Sequence, residues 1–169
     1  TKEDDIRQRH IIDSAQIIDF VDLNSNTTYD LGSGAGLPGL VVAIVMKNLK
    51  IDMKVSLFEK SYHKCVFLKD VSKELNLNTE VIQKDIFTLK NMETGTVMSR
   101  AFKPMPLVLN LVNENFKRFK NIIFFMGKNG KKVLKETLQH WDLDYEEKKS
   151  LTNEDSFILN IKKIKKKLS

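Results

Sequence analysis

The stretch YDLGSGAGLPGL, residues 29–40, decides how this chain is read. Gly32, Gly34, Gly36 and Gly39 put four glycines into eight residues, directly after a short run with strand character. Where side chains are absent, a ligand can lie against the backbone itself. The almost wholly apolar PGLVVAIVMKN (residues 38–48) follows and reads as a helix, with Pro38 suited to its first turn. A strand, a bare loop and a helix, in that order, form the usual ligand cradle of an open α/β sheet.

Two phosphate fingerprints fail at this loop. A dinucleotide motif G-x-G-x-x-G needs its third glycine at position 37, which is Leu37. A P-loop needs Gly-Lys-Ser/Thr, and neither this loop nor GKNGKK at 127–132 supplies it. A helix N-terminus attracts a carboxylate as well as a phosphate. S-adenosylmethionine carries a carboxylate and a ribose. An acid at the end of the next strand would accept from the ribose hydroxyls, and Glu59 closes KVSLFE (54–59) at about the offset that ribose-binding acids use. Gly32, Gly34, Gly36 and Glu59 are thus read as cofactor-binding. A plain tight turn and a solvated glutamate are the alternative for each feature taken alone.

Outward from this loop, strand and helix patterns alternate. Residues 4–22 read as an amphipathic helix with Ile6, Ile11, Ile17, Ile18 and Val21 on its apolar side. Residues 64–76 read as a helix with Val66, Phe67, Val71 and Leu75 as core candidates, and 79–83 as a strand. Loop and turn are expected over 84–93, a strand over 95–101, a helix over 105–118, a buried strand over 121–126 and a helix over 131–140. Residues 142–150 and 155–167 alternate and are expected to pair as an antiparallel hairpin. The order predicts an α/β domain with a mainly parallel sheet covered on both faces. We divide it into an N-terminal helix, 1–24, and a main domain, 25–169.

The 169 residues suffice for one domain with its own core. No apolar run approaches membrane-spanning length, and TKEDDIRQRH lacks the apolar centre of a signal peptide. The single cysteine, Cys65, excludes an intramolecular disulfide and a cysteine-rich zinc site; a reducing cytoplasm fits. His63 and His140 have no ligand partner at helical spacing, so no metal site is expected. A net charge of +6 and a pI near 9.3 favour polyanionic partners. The tail NIKKIKKKLS could grip phosphates, and Phe102 and Tyr62 could stack on a base.

RQRHIIDS (7–14), DLGSGAGLPGLVVAI (30–44), KCVFL (64–68) and SRAF (99–102) stand in the order found in one bacterial family. The chain resembles the 16S ribosomal RNA guanine-N7 methyltransferases, also called glucose-inhibited division protein B, over nearly its whole length. The resemblance implies a Rossmann-like class I fold, a mostly parallel seven-stranded sheet with an antiparallel last strand. It implies S-adenosylmethionine as methyl donor and 16S ribosomal RNA or the small subunit as partner. It marks Gly32 and Leu37 as cofactor-loop residues, Ile86 and Phe87 as flanking the adenine, and Arg100 as linked to the cofactor site. It also implies that residues 1–24 end a longer helical segment, and that His63-Lys64 replaces a basic pair proposed to touch RNA. Nothing in the sequence demands more than a monomer.

The chemistry agrees with that family. Guanine N7 offers a free lone pair and loses no proton when methylated, so alignment matters more than a general base. Cys65 lies mid-helix without a Pro-Cys context and is read as a packing residue, not a nucleophile. The Pro-Pro-aromatic loop of amino-group methylases is replaced by Ser99-Arg100-Ala101-Phe102. Arg100 is expected to face a carboxylate or phosphate, since its charge would oppose a cationic base. His10 and Asp13 share a helix face, either tying the helix to the domain or lining the RNA side of the pocket. A methyltransferase with another acceptor, or a silent RNA-binding domain, remains compatible with the sequence.

Overall fold

A computed structural model describes residues 1–168. Its elements in chain order are α1 (Lys2–Ala15), β1 (Thr27–Leu31), α2 (Gly39–Asn48), β2 (Lys54–Phe58), α3 (Tyr62–Glu74), β3 (Thr79–Ile82) and β4 (Met92–Glu93). These are followed by β5 (Thr96–Ser99), α4 (Met105–Asn115), β6 (Phe116–Arg118), β7 (Asn121–Met126), α5 (Gly130–Thr137), β8 (Trp141–Lys149) and β9 (Phe157–Lys166). Seven strands form one sheet in the order β3-β2-β1-β5-β7-β9-β8. The first five run parallel, and β9 is antiparallel to both its neighbours. The expected class is the observed one.

Residue alternation in the central strands builds both cores. Ile122 and Phe124 of β7 join the layer under α4 and α5, while Ile123 between them joins the layer under α2 and α3. In β5, Val97 and Met98 divide the same way. Strand order reverses between β1 and β5, so the chain leaves the sheet in opposite directions there and opens a crevice at the carboxyl ends.

Two boundaries and one buried face differ from the sequence reading. The first helix stops at Ala15, and Ile18–Phe20 is a separate 3-10 turn. Ile17 and Val21 enter the core from that turn, whereas Ile6 and Ile11 are exposed; Ser14 is the one buried residue of α1. The α1 helix therefore meets the domain through polar side chains rather than an apolar stripe. The α4 helix ends at Asn115, because Phe116–Arg118 pairs with Met92–Glu93 in a small second sheet clamped by the Arg118–Glu93 ion pair at 2.5 Å. The buried face of α3 is Cys65, Leu68 and Ser72; Val66, Phe67 and Leu75 are exposed.

The lysine tail is β9, and its register opposes acids of β8, with Asp142 facing Lys165 and Asp144 facing Lys163. Lys162 pairs with Glu146 at 3.3 Å and Lys167 with Asp142 at 3.5 Å. Much of the tail's charge is thus compensated within the hairpin.

Beneath the sheet's centre, Asn121 is a buried hub. Its amide nitrogen donates to Asn160 Oδ1 and to the Phe20 carbonyl, both at 2.7 Å, and its oxygen accepts from Thr96 Oγ1 at 2.8 Å. Asn121→Ala removes three hydrogen bonds, two of them buried, and is expected to cost about 2–3 kcal/mol. Urea unfolding checks this; a loss under about 0.5 kcal/mol would show that water replaces the hub.

Candidate active site

The crevice holds a cavity of about 880 Å³, lined by the glycine loop, Glu59, Ile86, Phe87, Arg100 and His10 among others. That is the size range of cofactor sites. Its three loop glycines do different work. Gly32, Gly34 and Gly36 all have left-handed backbones, at φ +69°, +56° and +86°. A Cβ on Gly32 would strike the Phe102 ring at 2.1 Å, and one on Gly36 would strike Leu40 at 2.3 Å. Around Gly34 the nearest atom would be the Gly32 carbonyl oxygen at 3.8 Å, so its missing side chain leaves room for a ligand. Gly36 does not line the cavity; it makes space for Leu40 and Leu68. Gly34→Val is expected to keep the fold with a modest drop in Tm, about 1–2 kcal/mol for a side chain in that backbone region, and to fill the ligand's space. In thermal melts, S-adenosylmethionine should raise the wild-type midpoint and leave the variant's unmoved. An equal rise in both would place the ligand elsewhere.

The second strand ends where an acceptor is needed. Glu59 Oε2 accepts from the Gly34 amide at 2.9 Å, and Oε1 accepts from the Lys60 and Ser61 amides at 2.8 and 2.9 Å. Partial burial pushes its pKa up, but the Ser61, Gly34 and Lys60 amides and nearby Lys64 outweigh this and hold it below the usual range. The carboxylate is therefore charged and fixed, with lone pairs left for hydroxyl donors.

At the end of β1, Asp30 is 1% exposed, and its Oδ2 accepts from the Gly39 amide at 3.1 Å. This changes the expectation for the loop. The first amide of α2 is already occupied by the protein's own carboxyl and does not face a ligand. Among the described residues, the loop amides of Ala35 and Leu37 make no hydrogen bond, and both residues line the cavity.

Arg100 follows β5 and joins α1 to the crevice. Its Nη2 lies 2.9 Å from His10 Nδ1, and its Nη1 donates to Ser14 Oγ at 3.1 Å. A guanidinium only donates, so His10 Nδ1 is the acceptor here. The guanidinium also lies 5.3 Å from the Phe125 ring centre and 3.9 Å from Asp13 Oδ2. The Asp13 carboxylate accepts in addition from Gln16 at 3.1 Å, Ser150 at 3.2 Å and Thr152. It lines a separate, smaller cavity of about 260 Å³ that Arg100 shares. The structure thus brings His10 to the main cavity and Asp13 to the neighbouring one. The pair ties α1 to the domain through Arg100, and of the two only His10 borders the main crevice.

Gly32, Gly34, Leu37, Glu59, Ile86, Phe87, Arg100 and His10 converge on the main cavity; Gly36 and Asp13 do not. Sequence reasoning missed Ser14, Asp30 and three of the four lysines at the cavity, Lys60, Lys84 and Lys103; Lys64 is marked only through the family resemblance. Only contact across the fold reveals the first two. The lysines come from three loops and one helix, so no local run marks them. Lys60 pairs with Asp85 at 2.9 Å; among the described residues Lys64, Lys84 and Lys103 form no ion pair. Cys65 is buried in the α3 core face, as a packing residue should be, and burial pushes its thiol pKa up. No cluster among the described residues could hold a metal, and no described helix is long and apolar enough to cross a membrane.

This sheet order, with its crevice at the β1–β5 reversal, is the fold of the class I S-adenosylmethionine-dependent methyltransferases. A S-adenosylmethionine-dependent methyltransferase from Aquifex aeolicus superposes with a TM-score of 0.67 at 14% identity, covering 95% of this chain and 94% of that one. The 16S rRNA methylase RmtB superposes at 0.62 with 10% identity, over 92% and 64% of the two chains. The family model for rRNA small subunit methyltransferase G matches residues 1–160. The ribosomal RNA small subunit methyltransferase G of Pelagibacter ubique is 61% identical over 98% of this chain and 78% of its own length. The chain belongs to the rRNA small subunit methyltransferase G family.

Proposed function

We propose that this protein methylates N7 of a guanine in 16S ribosomal RNA, with S-adenosylmethionine as donor, acting as a cytoplasmic monomer. One observation carries the reading: a cavity with a ribose-type acid, Glu59, and a bare loop is ringed by Lys60, Lys64, Lys84 and Lys103, of which Lys60 alone among the described residues has an acid partner, Asp85. S-adenosylmethionine has no phosphate and bears a cationic sulfonium, so it gives no reason for four lysines. A nucleic-acid backbone does.

Bound S-adenosylmethionine supplies an electrophilic methyl group, which the N7 lone pair takes as the carbon–sulfur bond's electrons return to sulfur. Glu59 accepts from the ribose hydroxyls. Phe87 and Ile86 flank the adenine, and the free amides of Ala35 and Leu37 supply donors beside Gly34. Arg100, held by His10 and Ser14, directs its charge at a carboxylate or phosphate. No residue has to take a proton from N7, so orientation does most of the work.

The test is transfer of labelled methyl from S-adenosylmethionine to small-subunit RNA lacking the modification, with the product nucleoside identified by mass. 7-Methylguanosine is expected. Cofactor binding without transfer would point to another acceptor, and neither binding nor transfer to a silent RNA-binding domain.

A further inference from the structure

We propose that the first two turns of α3 are a stacking platform for unpaired nucleotides of the RNA substrate, next to the cavity. The inference rests on the RNA reading above. Tyr62, Val66 and Phe67 are 63%, 38% and 49% exposed, while the same helix buries Cys65, Leu68 and Ser72 beneath them. Three large apolar side chains within six residues face solvent. Beyond them the outer face turns to Lys69, Asp70, Lys73 and Glu74, an ordinary solvated surface. The Tyr62 ring meets His63 edge-on with centroids 5.6 Å apart, which leaves a ring face for a partner.

Position and charge select the occupant. Ser61 caps α3 through its hydroxyl, and its own amide is held by Glu59, so the platform begins three residues from the proposed ribose acceptor. Lys60 and Lys64, on either side of Tyr62, line the cavity, and Lys84 and Lys103 face them from other segments. Phe67 lies less than one helical turn beyond Lys64. Exposed rings flanked by lysines suit a strand with stackable bases and a phosphate backbone; duplex RNA keeps its bases stacked inside.

The experiment measures binding of a short labelled unpaired ribo-oligonucleotide of mixed sequence, and of the same sequence as a duplex, by fluorescence anisotropy. Tyr62→Ala with Phe67→Ala should weaken unpaired-RNA binding roughly ten- to a hundredfold. Tyr62→Phe with Phe67→Tyr should restore it, and duplex binding should change little. In methyl transfer the alanine variant should raise KM for RNA at unchanged kcat, with S-adenosylmethionine affinity intact by calorimetry. Unchanged RNA affinity, or equal losses for both RNA forms, overturns the platform. So does sedimentation that shows the alanine variant dissociating a dimer, which would make the patch a contact between copies. Because the binding assay needs no methyl transfer, failure of the platform and failure of the methyltransferase reading give different results.

Discussion

Glu59→Ala should lower affinity for S-adenosylmethionine roughly 10- to 150-fold, the equivalent of one hydrogen bond to a charged group at about 1.5–3 kcal/mol. Two losses combine. The ribose hydroxyls lose their acceptor, and the Gly34, Lys60 and Ser61 amides lose the group that fixes the loop and the start of α3. Glu59→Gln separates them, because one amide oxygen keeps an acceptor at the same place while the charge goes. Calorimetric titration should rank wild type above Gln, and Gln above Ala. If Ala binds like wild type, Glu59 holds the loop and not the ribose. The charge on Glu59 also sets a pH window. Its folded pKa lies below the unfolded value of 4.5, so its contribution to stability is present above that value and is lost as pH falls through the lower folded pKa.

The sequence made some of this site legible and hid the rest for physical reasons. Glu59, Gly34 and Arg100 could be found because strand–loop–helix order fixes where the carboxyl end of each strand lies. Gly36 misled because a left-handed glycine looks the same whether its bare side meets a ligand or, as here, Leu40. Ile6 and Ile11 misled because their spacing fits a buried stripe, yet α1 is held by His10, Asp13 and Ser14 on Arg100. That clasp joins residues about ninety apart in the chain, which no local period encodes. The same limit applied to Phe116–Arg118: a helix-like run became a strand because Met92–Glu93 lies beside it. In α3 the period was read correctly and its phase was not, since exposed Val66 and Phe67 carry more hydrophobicity than buried Cys65 and Ser72.

Asp30→Asn should stabilise the protein at neutral and alkaline pH and remove much of its pH dependence of stability. Burial pushes the Asp30 carboxyl up to about 7 from 3.8, only partly offset by the Ser33 hydroxyl, the Gly39 amide and the charge of Arg100. Between those values the unfolded chain has lost the proton that the folded protein keeps. Stability therefore falls as pH rises from about 4 to about 7, and levels off above. The full shift, about three pH units at about 1.4 kcal/mol each, corresponds to a penalty on the order of 4 kcal/mol. An asparagine oxygen can still accept from the Gly39 amide, and no charge is buried. Asp30→Ala, by contrast, leaves that amide bare and opens a cavity, so it should destabilise most at acid pH, where the native carboxyl is neutral. Urea unfolding of all three proteins from about pH 5 to about pH 8 tests this. Parallel pH profiles for wild type and Asp30→Asn would mean that Asp30 titrates normally. The tight site explains the cost. Gly39 has no side chain because a Cβ would meet Asp30 Oδ2 at 2.5 Å and Leu57 at 2.3 Å, so β1, the glycine loop and α2 close around one carboxyl. That carboxyl fixes the start of α2 directly beneath the loop that faces the cofactor, and the stability it costs holds the loop in place.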